Sequence, residues 1–386
     1  MTGQRLSPLE ILARLVGFRT ISSESNLDLI AFIEDYLAGW GVASVRIPDA
    51  TGAKAALFAT IGPSDRGGVV LSGHTDVVPV EGQVWATDPF SLTVANGRAY
   101  GRGAVDMKGF CALVLAAVPD FLAAGLKTPI HLFFSYDEEV TCLGVVDGIA
   151  RFGLDLPRPV AVIVGEPTGL EVADAHKGIG MYTTTVHGAQ AHSSNPSLGA
   201  SAVHGAVLLA AELDRLALEY EALGDSSGRF DPPFSTIHIG RISGGEARNI
   251  LAGEAAIQWE VRNLPDLDIA TIPARLTAFA DAQVLPRFRR TFPDYRVETV
   301  FEGLVPALGA SPDPLARTLA QKLAGRNRTV TVSYGTEAGH FFNAGISTVV
   351  CGPGSIDRAH KADEYITLDE LAEGEAFLRR LARELS

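Results

Sequence analysis

Two kinds of apolar pattern alternate along this chain. Short runs that are apolar on both faces lie at Ala55–Ile61, Val69–Gly73, Pro129–Tyr136 and Val160–Gly165, with a further run at Ser347–Gly352, and helical patterns separate them. Strands that are apolar throughout are typical of a sheet covered by helices on both faces. The pattern therefore predicts an α/β domain with a mostly parallel or mixed sheet.

The middle of the chain differs, because its strands alternate between apolar and polar residues. This alternation predicts four strands with one covered face, and two helical patterns accompany them, in the order Met181–His187, helix Ala200–Glu221, Ser235–Ile242, Ala255–Arg262, helix Ile269–Phe288 and Arg296–Phe301. The order β-α-β-β-α-β is that of a ferredoxin-like unit. We predict a first domain made of residues 1–178 and 304–386, interrupted by an inserted α+β domain at 179–303.

Size and charge exclude several classes of function. A chain of 386 residues exceeds the length at which single cores stop growing, so two domains are expected. The formal charge of −13 repels nucleic acid and anionic membranes, and we expect neither as a partner. The chain has no apolar run of about 18 residues, and its amphipathic N-terminal pattern is unlike a signal peptide. We expect a cytoplasmic protein with a small-molecule partner.

Cysteine spacing limits the kind of metal site that this chain can form. The three cysteines, Cys111, Cys142 and Cys351, lie far apart and form no CxxC motif. That spacing argues against a disulfide framework and against a thiolate zinc site. A metal would therefore need nitrogen and oxygen ligands.

Four of the apolar runs end in ionisable residues. His74 follows the run at Val69–Gly73, and three carboxylates at 137–139 follow the run at Pro129–Tyr136. Glu166 follows the fourth run, and His360 lies in the loop after the last. Because open α/β sheets place their ligands at the carboxyl ends of strands, these residues can converge on one site.

His74 and Asp76 lie two residues apart, which places both side chains on one side of an extended chain. A histidine that binds a metal usually gives its second ring N–H to a carboxylate. His74 is therefore a candidate ligand and Asp76 a candidate orienting residue. A strand-end histidine bonded to a turn aspartate is the simpler alternative.

Four further acids, Asp106 and the three adjacent acids at 137–139, are also candidates for a metal site. Asp106 lies in a glycine-rich turn, where an N-cap role is the simpler alternative. The adjacent carboxylates of Asp137, Glu138 and Glu139 repel one another unless cations offset them. The charge of two divalent cations balances three ligand carboxylates and one hydroxide, which suits a two-metal site. Carboxylates with imidazoles are compatible with zinc, cobalt or manganese, and availability favours zinc.

Longer motifs add a resemblance to a known family. The chain resembles M20 di-zinc amidohydrolases from about Pro8 to Leu381, through SGHTDVVP, GRGAVDMKGF, DEE, GEPT, AHSSNPSLGASA and CGPGSIDRAHKADEY. Further strings resemble those members of the family that remove the acetyl group from N2-acetyl-L-ornithine. They are GEPTGL, AHKG, PFSTIHIGRISGGEARNIL and YGTEAGHF.

The resemblance implies a zinc-peptidase-like catalytic domain that binds two Zn²⁺ per subunit, with Co²⁺ able to substitute. His74 and Glu166 are expected to bind one ion, Glu139 and His360 the other, and Asp106 both. A cis peptide is expected after Asp106. The inserted domain is expected to act as a lid and to form a homodimer.

The resemblance also implies catalytic roles. Glu138 is the expected general base, and it would pass a proton from the attacking water to the leaving amine. Asp76 is expected to assist by orienting His74. His192, in the inserted domain and often supplied by the partner subunit in this family, is expected to stabilise the oxyanion. A surface loop histidine is the alternative for His192.

Substrate binding is expected from five residues of the same motifs. Asn249 and Arg262 resemble positions that hold the substrate near its scissile group and its α-carboxylate, although Arg262 could instead form a surface salt bridge. Glu337 is expected to bind the side-chain ammonium of ornithine or, alternatively, to cap a helix. Thr336 and Gly354 complete the set.

The expected activity is hydrolysis of N2-acetyl-L-ornithine to acetate and L-ornithine in arginine synthesis. The same chemistry on succinyl-diaminopimelate, acetylcitrulline or a dipeptide is the nearest alternative. A non-catalytic binder of metal or amino acid is an alternative from a different class.

Overall fold

A computed structural model of the chain describes residues 3–386. They form two compact units. The first unit runs to Ala175 and resumes with Gly309–Thr331 and Thr336–Ser386, whereas the second comprises His176–Leu308 and Val332–Gly335. The predicted limits of the inserted domain are residues 179 and 303. Among the described residues, no helix is both long and apolar enough to cross a bilayer.

The first unit is built on a large mixed sheet. With strands numbered along the whole chain, its members are β1 (Ser44–Pro48), β2 (Ala55–Ile61), β3 (Val69–His74), β6 (Ile130–Ser135), β7 (Ala161–Pro167), β8 (Ala173–His176), β13 (Val330–Val332) and β14 (Ser347–Gly352). Their order is β1-β2-β6-β3-β7-β14-β8-β13. Strands β6, β3, β7 and β14 are parallel neighbours, so their carboxyl ends share one edge of the sheet. This confirms the predicted α/β class.

Helices and a small sheet complete the first unit. The helices are α1 (Pro8–Gly17), α2 (Leu27–Gly39), α3 (Lys108–Ala116), α4 (Val118–Ala123), α5 (Val146–Arg151), α9 (Leu315–Ala324), α10 (Ala338–Asn343) and α11 (Leu368–Glu384). The small sheet has the order β15-β5-β4, formed by β4 (Thr93–Ala95), β5 (Arg98–Tyr100) and β15 (Tyr365–Thr367). One apolar core joins the large sheet to α1, α2, α3 and α11.

Two glycines let helix α3 lie close to the sheet. A Cβ on Gly165, in β7, would lie 2.2 Å from the ring of Phe110, and one on Gly73, in β3, would lie 2.9 Å from Met107. The contact at Gly165 leaves no room for a side chain, and the one at Gly73 would force the end of the Met107 side chain to move. The close approach brings the start of α3, and with it the preceding Asp106, to the carboxyl ends of β3 and β7.

The second unit has the predicted ferredoxin-like order. Its elements are β9 (Gly178–His187), α6 (Ala202–Leu223), β10 (Thr236–Gly244), β11 (Glu254–Asn263), α7 (Thr271–Phe279), a π-helical turn (Ala280–Val284), α8 (Leu285–Phe288) and β12 (Arg296–Val305). The strands are antiparallel in the order β10-β11-β9-β12. Alternate residues of β11, such as Ile257 and Val261, are buried in a core that includes Leu209 and Leu213 of α6. The alternation in the sequence therefore reflects one buried face of the strand.

Candidate metal centre

The carboxyl ends of the parallel strands bring five predicted ligands together. Nε2 of His74 lies 3.1 Å from Oδ1 of Asp106 and 3.6 Å from Oε1 of Glu166. Nε2 of His360 lies 3.2 Å from Oδ2 of Asp106 and 2.9 Å from Oε2 of Glu139. Asp106 thus presents one oxygen to each of two His–Glu pairs. A carboxylate that bridges two cations needs this arrangement.

His74 is oriented by a backbone group. Its Nδ1 lies 2.9 Å from the carbonyl oxygen of Asp76, and because a carbonyl can only accept, Nδ1 carries the proton. Nε2, the other ring nitrogen, faces Oδ1 of Asp106. Asp76 orients His74 as the sequence analysis expected, but mainly through its carbonyl, since its carboxylate Oδ1 is 3.5 Å from Nδ1.

The carboxylate of Asp76 holds a second part of the site. It accepts hydrogen bonds from Oγ of Ser22 at 2.7 Å, from the backbone N–H of Glu138 at 3.2 Å and from that of Glu139 at 3.3 Å. Asp76 therefore connects the end of β3 to the acidic turn after β6. Ser22 is 54 positions from Asp76 in the sequence, and no local pattern indicates this hydrogen bond.

Glu138 points one oxygen toward His74 and the other toward a cysteine. Oε2 lies 4.0 Å from Nε2 of His74, and Sγ of Cys142 lies 3.3 Å from Oε1. Burial raises the pKa of the Cys142 thiol well above its ordinary value, so the thiol donates this hydrogen bond. From the sequence, Cys142 was predicted to form neither a disulfide nor a thiolate zinc site, and a contact with Glu138 was not predicted. The position of Cys142 four residues after Glu138 is the sequence feature that could have indicated this contact.

Burial makes ionisation costly for every acid of this cluster. Burial raises the pKa of Glu138 and of Glu166 well above the ordinary value. Burial, followed by the charge of Asp106, raises the pKa of Glu139 to about 7. Burial opposes ionisation of Asp106 as well, but hydrogen bonds from His360 and His74 keep its pKa low. Hydrogen bonds to Asp106 and Glu139 raise the pKa of His360 to about 10.

The residues present fit a metal site. Oε1 of Glu166 is buried, and no group within residues 3–386 gives it a hydrogen bond. Two overlapping triads bring one candidate ligand atom from each residue within 4.8 Å of the others; they are His74 with Asp106 and Glu139, and His74 with Glu138 and Glu166. Imidazole nitrogens and carboxylate oxygens are suitable donors for zinc and related divalent metals.

Asp106 is not the N-cap of a helix, which was the simpler alternative for this residue. Helix α3 has Met107 as its N-cap and no side-chain capping hydrogen bond, so Asp106 does not cap it. The Asp106–Met107 peptide bond is cis, as expected. Gly354 lies against this segment with φ of 89°, and a Cβ there would lie 2.4 Å from Val105. Gly354 therefore allows close packing beside Asp106.

Two of the expected substrate-binding residues lie in the interior of the first unit. The oxygens of Glu337 accept hydrogen bonds from Ser72 at 2.5 Å and Ser135 at 2.6 Å, and Glu337 is only 1% exposed. It makes no side-chain cap for helix α10. Its carboxylate is enclosed and already bonded in this structure, and binding of the ornithine ammonium by Glu337 stays a prediction. Thr336 is also buried, and its Oγ1 accepts from the backbone of Ala338.

The remaining predicted residues belong to the second unit. His192 is exposed, and its Nδ1 accepts the backbone N–H of Ser194 at 3.2 Å. Asn249 lies beside it, because its carbonyl accepts the N–H of Ser193 at 3.0 Å. Arg262 pairs with Glu260 on the same strand at 3.0 Å, as in the salt-bridge alternative. The structure thus groups His192 with Asn249.

Comparison with known proteins agrees with this fold. Residues 70–384 match the profile of peptidase family M20/M25/M40. Acetylornithine deacetylases of Pasteurella multocida and Shigella sonnei are each 32% identical; the alignments cover 94% of this chain and 93% of the first relative, and 93% and 92% for the second.

Solved structures support the same assignment at the level of fold. The aminopeptidase PepT of Bacillus cereus is 18% identical with a TM-score of 0.76, and all of both chains is covered. An M20 family metallo-carboxypeptidase of Sulfolobus solfataricus is 19% identical with a TM-score of 0.75, covering 98% of this chain and 99% of that one. With its fold, its cluster of ligand side chains and its relatives in agreement, this chain belongs to peptidase family M20/M25/M40.

Proposed function

We propose that this chain is a dinuclear metal-dependent amidohydrolase that cleaves N2-acetyl-L-ornithine to acetate and L-ornithine, a step of arginine synthesis. The observation that carries the proposal is Asp106, whose two oxygens face separate His–Glu pairs. We propose Zn²⁺ for both positions, with Co²⁺ able to substitute. The 32% identical acetylornithine deacetylases support the choice of substrate.

The proposed ligands divide into two groups around Asp106. His74 and Glu166 would hold one ion, Glu139 and His360 the other, and Asp106 both. When bound, the ions supply Lewis acidity for the amide carbonyl and positive charge that favours ionisation of water. Asp76 keeps this arrangement in place, because it orients His74 and bonds to the backbone of Glu139.

Glu138 is the proposed general base and acid. Its Oε1 is engaged by the Cys142 thiol, which leaves Oε2, on the side of His74, to take a proton from the attacking water. The same oxygen then gives the proton to the leaving amine nitrogen. Enclosure of Glu138 keeps bulk water from competing for that proton.

His192 is the proposed oxyanion donor. Because Nδ1 accepts the N–H of Ser194, the neutral ring carries its proton on Nε2 and can donate it. A donor that points at the developing negative charge stabilises the transition state more than the ground state. We propose that Asn249, next to His192, assists near the scissile group, and that Arg262 binds the α-carboxylate once it leaves Glu260.

A panel of substrates tests this function. We expect kcat/KM to be highest for N2-acetyl-L-ornithine among acetylcitrulline, succinyl-diaminopimelate, acetylmethionine and a dipeptide. Glu138→Gln serves as the control that assigns the activity to this site. A clear preference for succinyl-diaminopimelate would contradict the proposed substrate and keep the chemistry, whereas no hydrolysis of any compound by the zinc-loaded protein would contradict the enzyme itself.

The resemblance also supports a homodimer formed through the second unit. Light scattering is expected to give twice the mass of one chain. A monomer with full activity would contradict any contribution from a partner subunit.

A further inference from the structure

A buried ion pair lies beside the segment that carries Asp106. Nη1 of Arg102 is 2.7 Å from Oε2 of Glu364, and both side chains are 1% exposed. Moving two charges out of water is costly, and their attraction offsets that cost only with good geometry and further hydrogen bonds. The contacts of each partner indicate what the pair does.

Glu364 holds the backbone at Asp106. Its Oε1 accepts the N–H of Val105 at 2.9 Å and that of Asp106 at 3.1 Å. The small sheet sets the position of Glu364, because Tyr365 of β15 pairs with Tyr100 of β5 and the adjacent carbonyl of Glu364 accepts the N–H that follows Tyr100. One carboxylate thus fixes two successive amides at the candidate bridging residue.

Arg102 continues the connection toward the other side of the centre. Its Nη2 donates to Oε1 of Gln83 at 2.6 Å, and its guanidinium lies 5.1 Å from the ring centre of Trp85. Nε2 of Gln83 then donates to the carbonyl of His360 at 2.8 Å. An unbroken series of hydrogen bonds therefore joins the backbone of Asp106 to the backbone of His360.

We propose that Glu364, Arg102 and Gln83 form a positioning relay that fixes the distance between Asp106 and His360 and so determines how tightly the centre binds metal. The inference rests on the proposed metal centre. None of the three is a proposed ligand. They act through the backbone of two ligands, and outer residues of this kind typically change metal affinity by about 10–100-fold.

The direct test is the Zn²⁺ affinity of Glu364→Gln, measured by competition with a chromophoric chelator. Glutamine keeps the size of the side chain but removes the charge opposite Arg102 and one of the accepting oxygens. We expect Zn²⁺ to bind about 10–100-fold more weakly. Thermal unfolding of chelator-stripped protein, measured in parallel, separates this loss from a change in overall stability.

Glu212→Gln is the matched control. Glu212 is also largely enclosed, with its side chain 8% exposed, and it accepts two hydrogen bonds from Arg215 at 2.7 Å, but it belongs to helix α6 of the second unit. Loss of this Arg–Glu pair should leave Zn²⁺ affinity unchanged. An equal loss of affinity in Glu212→Gln and Glu364→Gln would overturn the inference.

A second variant keeps the test decisive if Glu364→Gln does not fold. Gln83 is only half-buried, so Gln83→Ala removes the last link of the relay with little effect on the core. We expect roughly 10-fold weaker Zn²⁺ binding. Unchanged Zn²⁺ affinity in Gln83→Ala, with Glu364→Gln either unchanged or unfolded, would overturn the relay.

The Zn²⁺ affinities of these variants test the relay whatever the substrate is. A chain whose Zn²⁺ affinity depends on the relay but which does not hydrolyse acetylornithine would refute the proposed function and retain the inference. A chain that hydrolyses acetylornithine with unaltered Zn²⁺ affinity in both variants would do the reverse.

Discussion

Two groups of acidic side chains in this molecule are balanced in opposite ways. On helices α6 and α7 of the second unit, Glu219 accepts hydrogen bonds from Arg275 at 2.5 and 2.8 Å and from Arg215 at 3.0 Å. Those hydrogen bonds lower the pKa of Glu219 to about 2. The charge of this acid is matched within the protein, so the group needs no cation from solution.

The acids at the end of the large sheet lack such partners. Glu139 and Glu166 have His360 and His74 as their ion-pair neighbours, and burial raises the pKa of both acids. A histidine can give up its proton and offer a lone pair, which an arginine cannot do at any ordinary pH. The difference teaches that acids enclosed with histidines at the end of the large sheet form a candidate cation site, whereas Glu219, paired with arginines in the second unit, has its charge matched within the protein.

The largest expected effect is on turnover, when one acid of the cluster and one acid of the arginine-paired group are each replaced. Glu138→Gln preserves the shape of the side chain but cannot accept a proton, so kcat should fall by about 10²–10⁴-fold while bound metal is retained. The same exchange in the arginine-paired group, Glu219→Gln, should leave kcat unchanged. Steady-state kinetics with elemental analysis of both variants measures this. Full activity in Glu138→Gln would refute its role as base.

A smaller effect is expected on the free energy of unfolding, which should change in opposite directions in the two groups. In chelator-stripped protein at pH 8, Glu166→Gln should raise the free energy of unfolding, because burial raises the folded pKa of Glu166 and folding therefore opposes ionisation above pH 4.5. Glu219→Gln should lower that free energy, and less so at high salt. Urea unfolding measures both. A loss of stability in both variants would contradict the contrast.

The same variant should also weaken metal binding. Glu166→Gln removes a proposed charged ligand, so its Zn²⁺ affinity should fall at least 10-fold, since a ligand matters no less than the residues behind it. Opposite signs for stability and affinity in one variant would be hard to explain by general damage to the fold.

The smallest expected effect concerns a histidine outside the acid cluster. His131 is buried against Phe58, its Nδ1 lies 3.0 Å from Oγ1 of Thr60, and burial lowers its pKa to about 4. The unfolded chain binds a proton below about pH 6.5, where folded His131 remains neutral, so stability is lost as pH falls from 6.5 to 4. His131→Leu should reduce the loss between pH 7 and pH 5 by about 1–2 kcal/mol. An identical pH dependence in both proteins would contradict this.

Local patterns explain why much of the fold could be predicted. Apolar runs such as Ala55–Ile61 and Ser347–Gly352 coincide with β2 and β14, because strands covered on both faces leave a continuous signal. The alternation in β11 similarly reflects one covered face. Short motifs placed His74 at the end of a strand and Asp106 in a glycine-rich turn, and the fold brings the two together.

The surroundings of the ligands could not be predicted in this way. Glu364 and Arg102 are separated by 262 positions, and nothing in either segment indicates their pairing. The enclosure of Glu337 by Ser72 and Ser135 depends on how α10 meets β3 and β6, and its motif alone does not indicate these contacts. Hydrogen bonds between distant segments are decided by packing, which a linear pattern does not record.

The most direct test of the account is the metal content of the chain. Protein saturated with Zn²⁺ and then dialysed should retain two ions per chain by elemental analysis, and Asp106→Asn, whose amide offers only one ligand oxygen, should retain at most one. Glu219→Gln should match the parent chain. A parent chain that retains no Zn²⁺, or an Asp106→Asn variant that retains two, would contradict a dinuclear centre bridged by Asp106.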